Sequence, residues 1–163
     1  MNAFWSYFWP MFAIGLALGL VGGVVGFPKR RTKLLLASVG IALAAGMLWH
    51  GPIGAANRFS ERVERHARLT LDYLEMTQVQ ASLHHGPLTR RLILTGPADD
   101  FQRSELVRIM SDIPGVSSAA WSGSGGLPLL VEGMTVTAVG FLAGLLLAYL
   151  IELRRRHNAQ WKW

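Results

Sequence analysis

The chain has 163 residues and no cysteine, which excludes disulfides, thiolate metal sites and cysteine nucleophiles. Charge is also scarce: charged residues make up 16% of the chain against 51% apolar ones. The mean hydropathy is positive, and soluble domains seldom combine these features. A basic groove is missing as well, although the formal net charge is +6. Lys29, Arg30, Arg31 and Lys33 form one cluster, and Arg154, Arg155, Arg156 and Lys162 another, with Glu132 and Glu152 flanking the last apolar run. Those groups account for the whole excess, because residues 51–126 hold eight arginines and eight acids. Phosphate binding needs a local surplus of cations, so nucleic acid is disfavoured as a partner.

Long apolar runs are what the chain does have. The first covers about residues 4–27 without a charge, enough for a hydrocarbon core that takes roughly 20 helical residues. Residues 1–10 lack the basic start, short apolar centre and cleavage site of a signal peptide, which predicts a permanent helix. The second run, about residues 34–50, is short, with Lys33 able to snorkel and Trp49 and His50 at the interface. The third, about 127–153, is long enough to tilt and carries Glu132 near its start, at headgroup level. The positive-inside rule puts the basic loop 28–33 and the basic tail 154–163 in the cytoplasm, and three crossings bring both to one face. The N-terminus and residues 51–126 then face the other side, the periplasm of a bacterial inner membrane. Trp5, Tyr7 and Trp9 are expected to anchor the outer interface, and Trp161 and Trp163 the inner one. No charge lies in mid-span, so a proton relay or ion path lacks its usual signature.

Small residues recur every fourth position in each run: Gly15, Gly19 and Gly23; Ser38, Ala42 and Gly46; Gly140, Gly144 and Ala148. Such stripes let helix backbones approach closely in lipid. They are candidate surfaces either for packing the three helices on one another or for meeting another subunit.

The segment between the second and third runs reads as a small α+β domain. Gly51, Pro52 and Gly54 end the second helix, and an amphipathic helix is predicted over 56–74, with Phe59, Val63, Ala67, Leu71 and Leu74 on one face. Glu61 with Arg65, and Glu64 with Arg68, are spaced as i, i+4 pairs on its solvated side. Val79, Ala81 and Leu83 alternate with polar residues, a strand pattern that His84, His85, Gly86 and Pro87 turn back. Residues 88–95 supply a second strand with Leu92 and Leu94 on one side. Asp99 and Gln102 have the spacing of a capping box, and Leu106, Ile109, Met110 and Ile113 give the next helix its apolar face. A third strand is predicted over 116–121, followed by the Gly/Ser-rich link 122–126. The fold class is therefore a membrane protein with three transmembrane helices plus a periplasmic helix-strand-strand-helix-strand domain.

Leu94-Thr95-Gly96 after a strand, the helix 100–113, and Pro114-Gly115-Val116 before the last strand together resemble a BON domain over about residues 60–121. The resemblance implies a three-stranded sheet with two helices on one face, and a non-enzymatic domain that contacts phospholipid or envelope proteins. It transfers no catalytic residue.

Chemistry-bearing constellations are few. His84 and His85 lack further ligands at metal spacing and suit a polar turn, and His66 suits a helix surface. Asp99 and Asp100 suit a helix N-terminus. Ser122-Gly-Ser-Gly-Gly lacks the lysine of a phosphate loop. No enzyme, cofactor or metal is implied. Two readings stand. The chain is an accessory or scaffold subunit of an inner-membrane complex, meeting membrane-protein partners (another protein or further copies of itself) through its glycine stripes and periplasmic domain. Alternatively, it is a membrane-anchored module that binds phospholipid or a periplasmic component. Arg90 and Arg91 on the hairpin are candidate contacts for anionic headgroups, or else a solvated face.

Overall fold

The computed structural model describes residues 2–28, 31–123 and 125–160. Lys29 and Arg30 of the basic loop, Ser124 of the link, and Trp161, Lys162 and Trp163 of the tail lie outside the described residues. The elements in chain order are α1 (Ala3–Gly26), α2 (Thr32–His50), α3 (Ala55–Tyr73), β1 (Gln80–His85), β2 (Leu88–Thr95), α4 (Asp100–Ser111), β3 (Ser118–Ala120) and α5 (Leu129–Gln160). They divide between an α+β unit, Met1–Tyr7 with Gly54–Glu132, and a helical unit, Phe8–Ile53 with Gly133–Trp163.

α1, α2 and α5 are each long and apolar enough to cross a membrane. α5 departs from expectation at both ends. It starts two residues late, because Pro128 forms a bridge to Thr89, and it continues helically to Gln160, seven residues past Leu153. Arginine is a good helix former, a basic last turn suits the helix dipole, and Arg156 Nε holds Glu152 Oε1 at 2.8 Å across one turn. The first seven residues of the basic tail are therefore helix.

In the α+β unit the amphipathic pattern of α3 buries Phe59, Val63, Ala67 and Leu71. β1 and β2 pair antiparallel, with Leu83 opposite Leu92, and β2 pairs parallel with β3, with Leu92 opposite Ala119. Leu83, Leu92 and Ala119 form one buried row across the sheet, which α4 completes with Leu106 and Met110. The strand order is β1-β2-β3. A parallel β2/β3 pair needs a crossover, and α4 supplies it. The expected box starts α4: Gln102 N–H donates to Asp99 Oδ1 at 2.7 Å, and Asp99 N–H to Gln102 Oε1 at 3.1 Å. His84 and His85 belong to β1 rather than to the turn, with a bulge between Leu83 and His85. β3 is only three residues long.

The glycines that follow β2 and α4 have a steric reason. Gly96 (φ 130°) and Gly115 (φ 113°) adopt conformations that side chains rarely take. A Cβ at Gly96 would press on the Gln78 carbonyl oxygen, and one at Gly115 on Val63 and Phe59.

Tyr7 corrects an expectation. It is 1% exposed and its ring centroid lies 5.6 Å from that of Phe59, so it belongs to the core of the α+β unit rather than to an interface belt. Arg62 Nη1 donates to Ser6 Oγ at 2.7 Å alongside it. Trp5 and Trp9 stay exposed.

Candidate functional site

In the helical unit, the small-residue stripes meet one another. A Cβ at Gly15 would overlap the Thr137 carbonyl oxygen, at Gly19 that of Phe141, and at Gly23 the Ala148 side chain. From the other side, Gly140 and Gly144 face the carbonyls of Phe12 and Leu16. Partner numbers rise together, so α1 and α5 run parallel with their backbones in contact. Gly22 meets Ser38, Gly26 meets Leu35 and Gly46 meets Met11, so α2 runs antiparallel to α1. Ser38, Ala42 and Gly46 are the buried residues of α2. All three stripes are thus occupied within the chain, and the dispersion contacts they permit close the bundle on itself.

The outer side of α2 is left over. Of its most apolar stretch 11% is buried, against 33% for α1 and 28% for α5. Leu36, Ile41, Met47 and Leu48 are more than half exposed. Among them lies Gly40, where an added Cβ would meet none of the described residues within 4 Å, with exposed Ala44 one turn on. Gly40 and Ala44 form a second small-residue pair on the opposite face from Ser38, Ala42 and Gly46. Its four-residue spacing was legible, but which of the two small faces turns inward was not.

In the α+β unit, Arg90 and Arg91 project from opposite sides of β2. Arg90 Nε lies 2.5 Å from Glu132 Oε2, with both side chains about one-fifth exposed, and its guanidinium sits 5.5 Å from the Phe4 ring centroid. Arg91 Nη2 donates to Ser122 O at 3.3 Å, and the link folds over it, with Gly126 against Thr89. Both guanidinium groups thus have protein contacts within the unit. Ser122, Gly126 and Pro128 therefore lie along β2.

The sheet edges are met by helix side chains. Glu64 and Arg68 do not pair with each other as their spacing suggested. Glu64 Oε1 accepts from Leu83 N–H at 2.9 Å and lies 3.1 Å from His85 Nε2. Arg68 Nη1 donates to Thr77 O and Val79 O, both at 3.4 Å, while Arg68 Nη2 pairs with Asp72 at 3.0 Å. On the far edge, Ser111 Oγ accepts from Ala119 N–H at 3.1 Å. Such capping blunts the edges on which a further strand would add.

An open groove of about 630 Å³ runs past Glu75, Gln78, Pro97, Asp99, Gln102 and Arg103. The cap uses Asp99 and Gln102, while Arg103 Nε donates to Ala98 O at 3.1 Å beneath a Trp121 ring 5.3 Å away. On the exposed side of α4, Arg108 holds the Glu105 carboxyl below the usual carboxylate range through a hydrogen bond and its charge. Of the hairpin histidines, His84 is used within the turn, its Nδ1 lying 3.1 Å from Pro87 O, and His85 faces Glu64 of α3. Among the described residues no three His, Asp or Glu side chains gather as a metal cage. No family model, no curated protein and no solved structure matches the chain.

Proposed function

We propose that this chain is a non-enzymatic accessory or scaffold subunit of a bacterial inner-membrane complex, and that α2 is the helix through which it meets a partner membrane protein. The observation that carries this reading is Gly40. The stripes that first suggested partner contacts are consumed inside the bundle, whereas Gly40, with exposed Ala44 one turn on, remains a close-approach position with no occupant among the described residues. Three helices also exceed what an anchor needs.

The basic clusters at 28–33 and in the C-terminal tail support a cytoplasmic side for both, and with it a periplasmic α+β unit. Its BON-like assignment is supported by the order of its elements and by the steric need for Gly96 and Gly115.

One observation favours the alternative, an envelope-binding module that recognises phospholipid or a periplasmic component. Tyr73 and Leu69, one turn apart on α3, and Phe101 on α4 are 87%, 61% and 76% exposed. The test is extraction of the tagged chain in mild detergent with mass spectrometry of whatever stays bound. The scaffold reading expects stoichiometric membrane-protein partners that are lost with Gly40→Leu. Partners lost with Tyr73→Ser but kept with Gly40→Leu would transfer the function to the α+β unit. A chain recovered alone under every mild condition would refute the scaffold reading.

A further inference from the structure

We infer that the C-terminal end of α5, together with the end of α1, forms a binding site for the phosphate headgroup of an anionic phospholipid. The inference rests on the membrane reading of the three apolar helices. It depends neither on the scaffold assignment nor on which end of the bundle faces the cytoplasm.

Because α5 stays helical beyond Leu153, its last apolar residues and its first basic ones share one rigid surface. Two adjoining depressions mark it. One, of about 590 Å³, is lined by Leu150, Leu153, Arg154, Arg156, His157 and Gln160. The other, of about 170 Å³, is lined by Phe27, Tyr149, Glu152, Leu153 and Arg156. They share Leu153 and Arg156. Phe27 and Tyr149 meet edge to face with centroids 6.3 Å apart, which gives the smaller depression an aromatic wall.

Charge decides what fits. Glu152 is the acid in this lining, and it is already held by Arg156 Nε at 2.8 Å. Its side chain is 16% exposed while that of Arg156 is 63% exposed, so Glu152 acts as a positioning residue behind an outward-facing guanidinium. Engagement through Nε leaves the paired Nη groups, the geometry that clasps two oxygens of a phosphate. Arg154 adds a second cation in the same lining. Below them, Leu150, Leu153 and the aromatic pair present a hydrocarbon surface. Cations at the end of a span, above an apolar wall, match a molecule with a phosphate and acyl chains. Free phosphate would use only the upper half of this arrangement.

Arg155 supplies an internal control. It carries the same charge one residue away, is exposed, and lines neither depression. Diffuse attraction to an anionic surface treats Arg154, Arg155 and Arg156 alike, whereas a site does not.

The experiment uses the full chain in a mild non-ionic detergent, titrated with dioleoyl phosphatidylglycerol, with dioleoyl phosphatidylcholine, and with inorganic phosphate, with bound lipid counted by native mass spectrometry. Retention of phosphatidylglycerol over phosphatidylcholine is expected. Arg154→Gln and Arg156→Gln should each weaken it about fivefold and the double variant about 25-fold, while Arg155→Gln changes it by less than about twofold. Circular dichroism of each variant should match the parent, since all three side chains are on the surface. Equal losses for the three arginines would overturn the site in favour of diffuse attraction. Equal retention of the two lipids, or displacement of the lipid by inorganic phosphate at matched concentration, would overturn the lipid assignment.

Discussion

Removing the Glu132 carboxylate should loosen the α+β unit specifically along β2. Arg90 and Glu132 meet at 2.5 Å with side chains 20% and 18% exposed, and Phe4 closes over the guanidinium. Taking away one partner of a buried pair costs about 3–5 kcal/mol, chiefly because the remaining charge is left without compensation. One-fifth exposure lets water screen part of that charge, so Glu132→Ala should cost about 3 kcal/mol, the lower end of the range. With about 1.4 kcal/mol per factor of ten, amide exchange at Leu92 and Leu94 should accelerate by about two orders of magnitude. The assay is hydrogen–deuterium exchange of the solubilised chain as a double-mutant cycle with Arg90→Met. When both charges are gone, nothing is left uncompensated, so the double variant should lose at least about 1.5 kcal/mol less than the two singles added. Strict additivity, or faster exchange spread evenly over both units, would show that the ion pair does not hold β2 and would refute the reasoning.

Tyr7→Ala should destabilise the α+β unit by about 3 kcal/mol as its packing on Phe59 is lost, read as a lower melting temperature of the unit in the solubilised chain. For the same reason a fragment of residues 55–122 should fail to give the dispersed amide spectrum of a folded domain, since it lacks Tyr7, Leu129 and Glu132. Asp99→Ala should cost about 1 kcal/mol by unsatisfying the first turn of α4, and Asp99→Asn much less, measured by denaturant titration. Gly19→Leu drives a side chain into the backbone of α5 and should cost more than about 3 kcal/mol of bundle stability, while Gly40→Leu should leave it unchanged. Thermal unfolding in detergent separates the two.

Local pattern decided the elements. Hydropathy and run length identify α1, α2 and α5 from sequence, because a span needs only enough consecutive apolar residues to cross the bilayer. Two-residue alternation located β2 at Leu88–Thr95, and the Asp99–Gln102 spacing located the start of α4, since both depend on neighbours within a few positions. The stripes were legible too, but a four-residue spacing says only that a helix has a small face. It does not say what covers that face. The fold alone decided that Gly15, Gly19, Gly140 and Gly144 bring the backbones of α1 and α5 together and that Gly40 meets nothing among the described residues. Longer reach explains the remaining differences. Glu64 and Arg68 suit an ion pair on an isolated helix, yet the Leu83 amide of β1 and the Thr77 and Val79 carbonyls just before it compete for them once the sheet forms beside α3. The pairing of Glu132 with Arg90 was not legible, because Arg90 is more than forty positions earlier in the chain. Tyr7 read as an interface aromatic for the same reason, since burial against Phe59 is a contact between distant segments that only tertiary packing creates.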